Sequence, residues 1–105
     1  MIVVLRPLFG RAGEVTLVGD SLGDTKNKWQ NGYLGPDGAV YGIPVNNRSI
    51  LRIDADDDVA LVHGMPDVAE AYEGGVELED GSLICVPMRA RCVMRLMPLQ
   101  IAITQ

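Results

Sequence analysis

Three aspartates at alternate positions, Asp54, Asp56 and Asp58, are the residues of this chain whose type and spacing most suggest chemistry. Calcium takes carboxylate and carbonyl oxygens, and alternating acids in a turn are how a calcium-binding loop begins. The continuation of an EF-hand fails, because its sixth position, a glycine, is Val59 here and its twelfth, a bidentate acid, is Met65. Two expectations stay open: a looser calcium site on this turn, or a solvated acidic turn between two strands. The only histidine, His63, has no serine or cysteine placed beside it by motif. A Ser-His-Asp or Cys-His apparatus therefore has no support, and a surface histidine is expected.

A second group of candidates recurs along the chain. Trp29 and Tyr72 stand at equivalent places, either as aromatic platforms for a ligand or as packing residues wedged between sheets. Recurrence favours packing, since a core needs the same residue in every unit and a binding site rarely does. Arg48 and Arg91 also recur, and on a loop face they would hold a small anion or a protein partner. Arg52 and Arg95 would pair with turn acids such as Asp54 or Asp80 across units. Cys85 and Cys92 make neither a disulfide framework nor a metal quartet; a cross-strand bridge is conceivable if they flank a hairpin loop, but their counterparts Gly42 and Ser49 show that the repeat does not require one, and buried reduced thiols are the favoured expectation.

The elements that must position these groups follow from an internal repeat. Residues 29–53 recur at 72–96, an offset of forty-three, with Gly32, Asp37-Gly38, Pro44, Arg48 and Arg52 matched by Gly75, Asp80-Gly81, Pro87, Arg91 and Arg95. Unlike positions keep their character: Val40 with Leu83, Tyr41 with Ile84, Ile43 with Val86, Ile50 with Val93, Ile53 with Leu96. A period of ~40 to 50 residues belongs to stacked repeat architectures, and the four-stranded propeller blade is the all-β candidate of that length.

Within a unit, Asp-Gly between apolar segments predicts a hairpin with a type I′ turn. The predicted strands are 32–35, 39–45, 49–54 and 59–62 in one unit, and 75–78, 82–86, 92–97 and 101–104 in the next. Val4-Leu5-Arg6 and residues 15–18 resemble the third and fourth strands, so the chain opens mid-unit. Residues 66–72 are the one competitor for a helix, and a loop suffices there. The expected fold is all-β and propeller-like, about two and a half four-stranded antiparallel blades in a single domain of residues 1–105: a half unit at 1–28 and units at 29–71 and 72–105.

Composition bounds the function. The chain has 105 residues, 48% of them apolar, and fourteen acidic against nine basic residues give a net charge of -5. That balance disfavours nucleic acid and anionic membrane surfaces as partners. No apolar run approaches the ~18 residues of a membrane span, and a soluble, intracellular protein is expected. Arg6 and Arg11 before the first acid, Glu14, would also suit a presequence, but the strand-like pattern there is preferred.

The run from Lys28 to Pro44, with Trp29, Gly32, Pro36-Asp37-Gly38, Tyr41 and Pro44 at fixed offsets, resembles a tandem repeat of propeller-like proteins found mostly in protists and algae. Residues 36–41 look more distantly like the Pro-Asp-Gly turn of NHL and gluconolactonase-type propellers, from which the second unit departs at Glu79 and Ile84. The resemblance implies a propeller fold and is nearly silent about activity. A closed propeller needs at least about four blades. Self-association is therefore expected, or completion by a partner protein, through blade faces. The expected function is a non-catalytic binding or assembly module. The alternative that the resemblance offers is a metal-dependent hydrolase or lactonase active only as an assembled ring, for which Glu14, Asn31, Asn47 and Asp67 are the kinds of residue used.

Overall fold

The computed structural model describes residues 2–5, 13–98 and 102–104, the first and last of these segments by their backbone alone. Arg6, Arg11 and Ile101, on which sequence expectations fell, lie outside the described residues. Among the described residues there are ten strands: β1 (Ile2–Leu5), β2 (Val15–Val18), β3 (Trp29–Leu34), β4 (Val40–Pro44), β5 (Ile50–Ile53), β6 (Val59–Val62), β7 (Tyr72–Glu77), β8 (Leu83–Pro87), β9 (Met94–Met97) and β10 (Ala102–Thr104). The fold is all-β, with no helix among the described residues, and residues 66–71 form a loop.

Within each sheet, strands consecutive in sequence pair antiparallel. β1 and β2 form a two-stranded sheet, β3 to β6 a four-stranded one and β7 to β10 another. The two larger sheets share a register at the offset of forty-three. Trp29 opposes Pro44 as Tyr72 opposes Pro87, and Tyr33 opposes Tyr41 as Val76 opposes Ile84.

Two local expectations need correction. β3 and β7 begin three residues before the predicted strands, at Trp29 and Tyr72, because a bulge interrupts each without ending it. In β3 the bulged residue is Asn31, at φ 66, a conformation asparagine tolerates better than most residues. The Asp-Gly turns are also not type I′, since only the glycine has positive φ, 82° at Gly38 and 86° at Gly81. Each is a three-residue loop: Gly38 N donates to Gly35 O and Gly35 N to Ala39 O, as Gly81 N donates to Leu78 O and Leu78 N to Ser82 O. The aspartate holds the loop by accepting the amide two residues on, from Ala39 at 3.1 Å and from Ser82 at 2.9 Å.

The core lies between the two four-stranded sheets. Alternation of side chains gives each sheet two faces. The forward face of the first sheet carries Tyr33, Tyr41, Ile43, Ile50 and Val62, and it packs on the rear face of the second, which carries Leu83, Cys85, Met94 and Leu96. Gly75 marks one close approach. A Cβ there would stand 3.0 Å from Ile43 Cδ1. The Tyr33 hydroxyl donates to Gly75 O at 2.7 Å and accepts from Gly75 N at 3.1 Å, satisfying both polar groups of an edge strand. Gly19, just after β2, sits against Val59 of the first sheet.

Candidate functional site

Equivalent positions on the two sheets have opposite fates. On the forward face of the first sheet Tyr41, Ile43 and Ile50 are each 1% exposed, because the second sheet covers them. Their counterparts on the second sheet include Val86 and Val93, which are 52% and 51% exposed, and Val76, the counterpart of Tyr33, is 59% exposed. Register puts these residues on one face: Val76 opposes Ile84, Gly74 opposes Val86, and Val93 lies one step beyond the Cys85–Met94 pair, opposite Val86. Solvent-facing sheet surfaces of stable monomers are usually polar. This one is a valine-rich patch, the kind of surface that marks an interaction site.

An ion pair that occurs in both sheets reports the same difference. In the first sheet Arg52 reaches Asp37 Oδ2 at 3.2 Å, and the Tyr41 hydroxyl lies between them, donating to Asp37 Oδ2 at 2.6 Å and accepting from Arg52 Nε at 3.0 Å. Burial alone would push the Asp37 carboxyl up, but bonds from Tyr41, the Ala39 amide and Arg52 outweigh it and hold it below its ordinary value. Burial, followed by the bond to Asp37, raises Tyr41, and the bond to Tyr41 raises Arg52. In the second sheet Arg95 lies 3.8 Å from Asp80 and both are far more exposed, with Ile84 in place of the tyrosine. The Ser82 hydroxyl and amide hold the Asp80 carboxyl down. Both arginines thus pair within their own sheet and not across units, and the partner of Arg52 is Asp37 rather than Asp54. The members of the two pairs recur as identities, Asp37 with Asp80 and Arg52 with Arg95, but their pairing needs the register.

Each candidate from the sequence has a definite place. Trp29 is half-buried and its Nε1 donates to Ser49 O at 2.7 Å. Tyr72 is fully buried, and its hydroxyl donates to Cys92 O at 3.1 Å, the equivalent carbonyl. Both aromatics thus tie the start of a first strand to the start of the third. Arg48 is exposed, bound to Asp67 and, at 2.7 Å, to Asn46 O, beside an open cleft lined also by Thr25, Asn47 and Ala69. The Asp67 carboxylate, paired with the Arg48 guanidinium, offsets its charge there. Arg91 is exposed on the turn before β9 and is not among the residues that line this cleft.

The aspartates at 54, 56 and 58 build a turn. Asp54 Oδ1 accepts the amides of Asp56 at 2.8 Å and Asp58 at 3.0 Å, and Asp57 takes φ 66. Asp54 Oδ1 is thus engaged by backbone amides, and among the described residues no group of three or more acidic, histidine or cysteine side chains is placed to hold a metal ion. His63 is exposed. Its Nδ1 lies 3.0 Å from Ser49 Oγ, a pair brought together because Ser49 and His63 continue the Ile50–Val62 register. Sequence reasoning missed this contact, which needs the register to be seen. Ser49 is buried, so its hydroxyl offers no approach to a substrate. Both cysteines are free; Cys85 is buried, and burial pushes its thiol up to about 12, whereas Cys92 is exposed and not buried as expected.

Comparison with protein-family models, with curated proteins and with solved structures gives no match. No helix among the described residues is long and apolar enough to cross a membrane.

Proposed function

We propose that this chain is a non-catalytic binding and assembly module whose propeller-like, blade-type sheets associate through their faces. The observation that carries the reading is the open forward face of the second sheet, with Val76, Val86 and Val93 more than half exposed where the equivalent face of the first sheet is sealed. Leaving such half-exposed side chains in water forgoes roughly 0.8 kcal/mol each when a partner is at hand. The candidates for chemistry point the same way, because Asp54, Arg48, Ser49 and Tyr72 are each engaged in holding the backbone or a neighbouring side chain.

Sedimentation equilibrium from micromolar to several hundred micromolar tests this reading. The expected result is an average mass that rises with concentration above the 11.3 kDa of one chain. A constant single-chain mass over that range removes self-association from the proposal.

A further inference from the structure

The forward face of the second sheet has a template for its occupant within the same chain. The first sheet's forward face is covered by the rear face of the sheet that follows, with Ile50 and Val62 packed in one cluster with Met94 and Leu96. The positions that do the covering are therefore known. They are the alternate residues on the rear of a unit, and on the third and fourth strands of the first sheet they are Leu51, Ile53, Val59 and Leu61. In the two-stranded sheet the same positions on β2 are Val15 and Leu17, and these are 59% and 62% exposed, whereas Thr16 and Val18 between them are half-buried. The molecule thus ends in two unlike apolar faces, a forward one on β7 to β9 and a rear one on β2. Forward on rear is the packing the chain already uses internally.

Resting on the assembly reading above, we infer that the occupant is a second copy of this chain, docked head to tail: the Val76, Val86 and Val93 face of one copy packs on the Val15 and Leu17 face of the next. The contact repeats the forward-on-rear packing of the two four-stranded sheets. It is heterologous, so an open assembly keeps one free face of each kind at its two ends until a ring closes. Sheets stacked this way sit ~10 Å apart with interdigitated side chains. Val76 replaces Tyr33 at this new contact and brings no hydroxyl, so it is apolar where the internal one carries the Gly75 bonds.

Mixing two single variants decides between head-to-tail docking and its rivals. Val86→Asp disables the forward face and Leu17→Asp the rear face. Each position is solvent-exposed, and circular dichroism confirms that the variants remain folded; Val93→Asp is an independent probe of the forward face. Each variant alone is expected to run at the mass of one chain, and a one-to-one mixture at twice that mass and no higher, because one intact face remains on each partner. If Val86→Asp is monomeric while Leu17→Asp assembles like wild type, the contact is symmetric, forward on forward, and head-to-tail docking is overturned with the assembly reading intact. If both variants assemble like wild type, or if both are monomeric and their mixture stays so, the inferred faces are wrong. A monomeric wild-type chain overturns this inference and the assembly reading together.

Discussion

Gly75→Ala destabilises the protein by about 1–3 kcal/mol, the usual cost of forcing extra volume into a filled site, while the same exchange at Gly32 changes stability little. The two glycines are repeat equivalents, so propensity alone gives them the same response. Their surroundings differ. A Cβ on Gly75 would stand 2.5 Å from the carbonyl oxygen of Ile84 and 3.0 Å from Ile43 Cδ1. The first is backbone of the paired strand and cannot rotate away; the second belongs to the opposing sheet, so the substitution pushes on both the hairpin and the sheet interface. At Gly32 the nearest atom is Val40 Cγ1 at 3.4 Å, ordinary contact on a surface that is open. Urea unfolding of the two variants measures the difference as a shift in midpoint without a change in slope. Equal losses at both positions would contradict the described packing of the second sheet against the first.

Tyr41→Ala removes about 3–5 kcal/mol, the range for truncating a buried aromatic, from a total that for a domain of this size is about 5–15 kcal/mol. The ring fills the space between the sheets. Its hydroxyl closes the Asp37–Arg52 pair and lies 3.4 Å from Pro98 O on the far sheet. Tyr41→Phe separates the two roles, keeping the ring and losing roughly 1–3 kcal/mol for the orphaned polar groups. Its pH dependence carries the sign. Asp37 is held below its ordinary value of 3.8 in the fold, so its contribution is complete above that pH and is lost as pH falls through the lower folded value. Tyr41 is raised above its ordinary 10.0, so its contribution is complete below pH 10.0 and is lost as pH rises through the higher folded value. Thermal melts of Tyr41→Phe are expected to lie below wild type at neutral pH and to converge with it toward both extremes. A constant gap from pH 2 to pH 11 would show that the hydroxyl contributes nothing to the Asp37 cluster.

Most strands were legible in the sequence because short apolar segments alternate with Asp-Gly, proline and polar turns, and these signals are local. The early starts of β3 and β7 were not, because a bulge breaks the alternation that defines a strand on paper. The turn type was misread for a related reason. Asp-Gly suits two turns, and the residue before it, proline or glutamate in a three-residue loop, decides between them only once the closing pair is known. The Arg52 partner depended on register: Arg52 lies opposite Tyr41, next to the turn that carries Asp37, whereas Asp54 is closer along the chain and faces its own turn.

The candidate interface was the least legible part. Ile43 and Val86, or Ile50 and Val93, are interchangeable as sequence, and hydrophobicity says only that such a position suits burial. Which of the two is covered follows from the order in which the sheets stack. The same ambiguity had placed weight on Trp29 and Tyr72, whose recurrence reflects a shared hydrogen bond to the third strand.

The most direct test of the central claim is to follow the methyl resonances of Val76, Val86 and Val93 as protein concentration rises. The account predicts that these three shift or broaden together with the methyls of Val15 and Leu17, on the same concentration scale as the increase in mass, while Ile43 and Ile50 stay fixed inside the molecule. Methyl signals of the valine face that remain constant from micromolar to several hundred micromolar would contradict it.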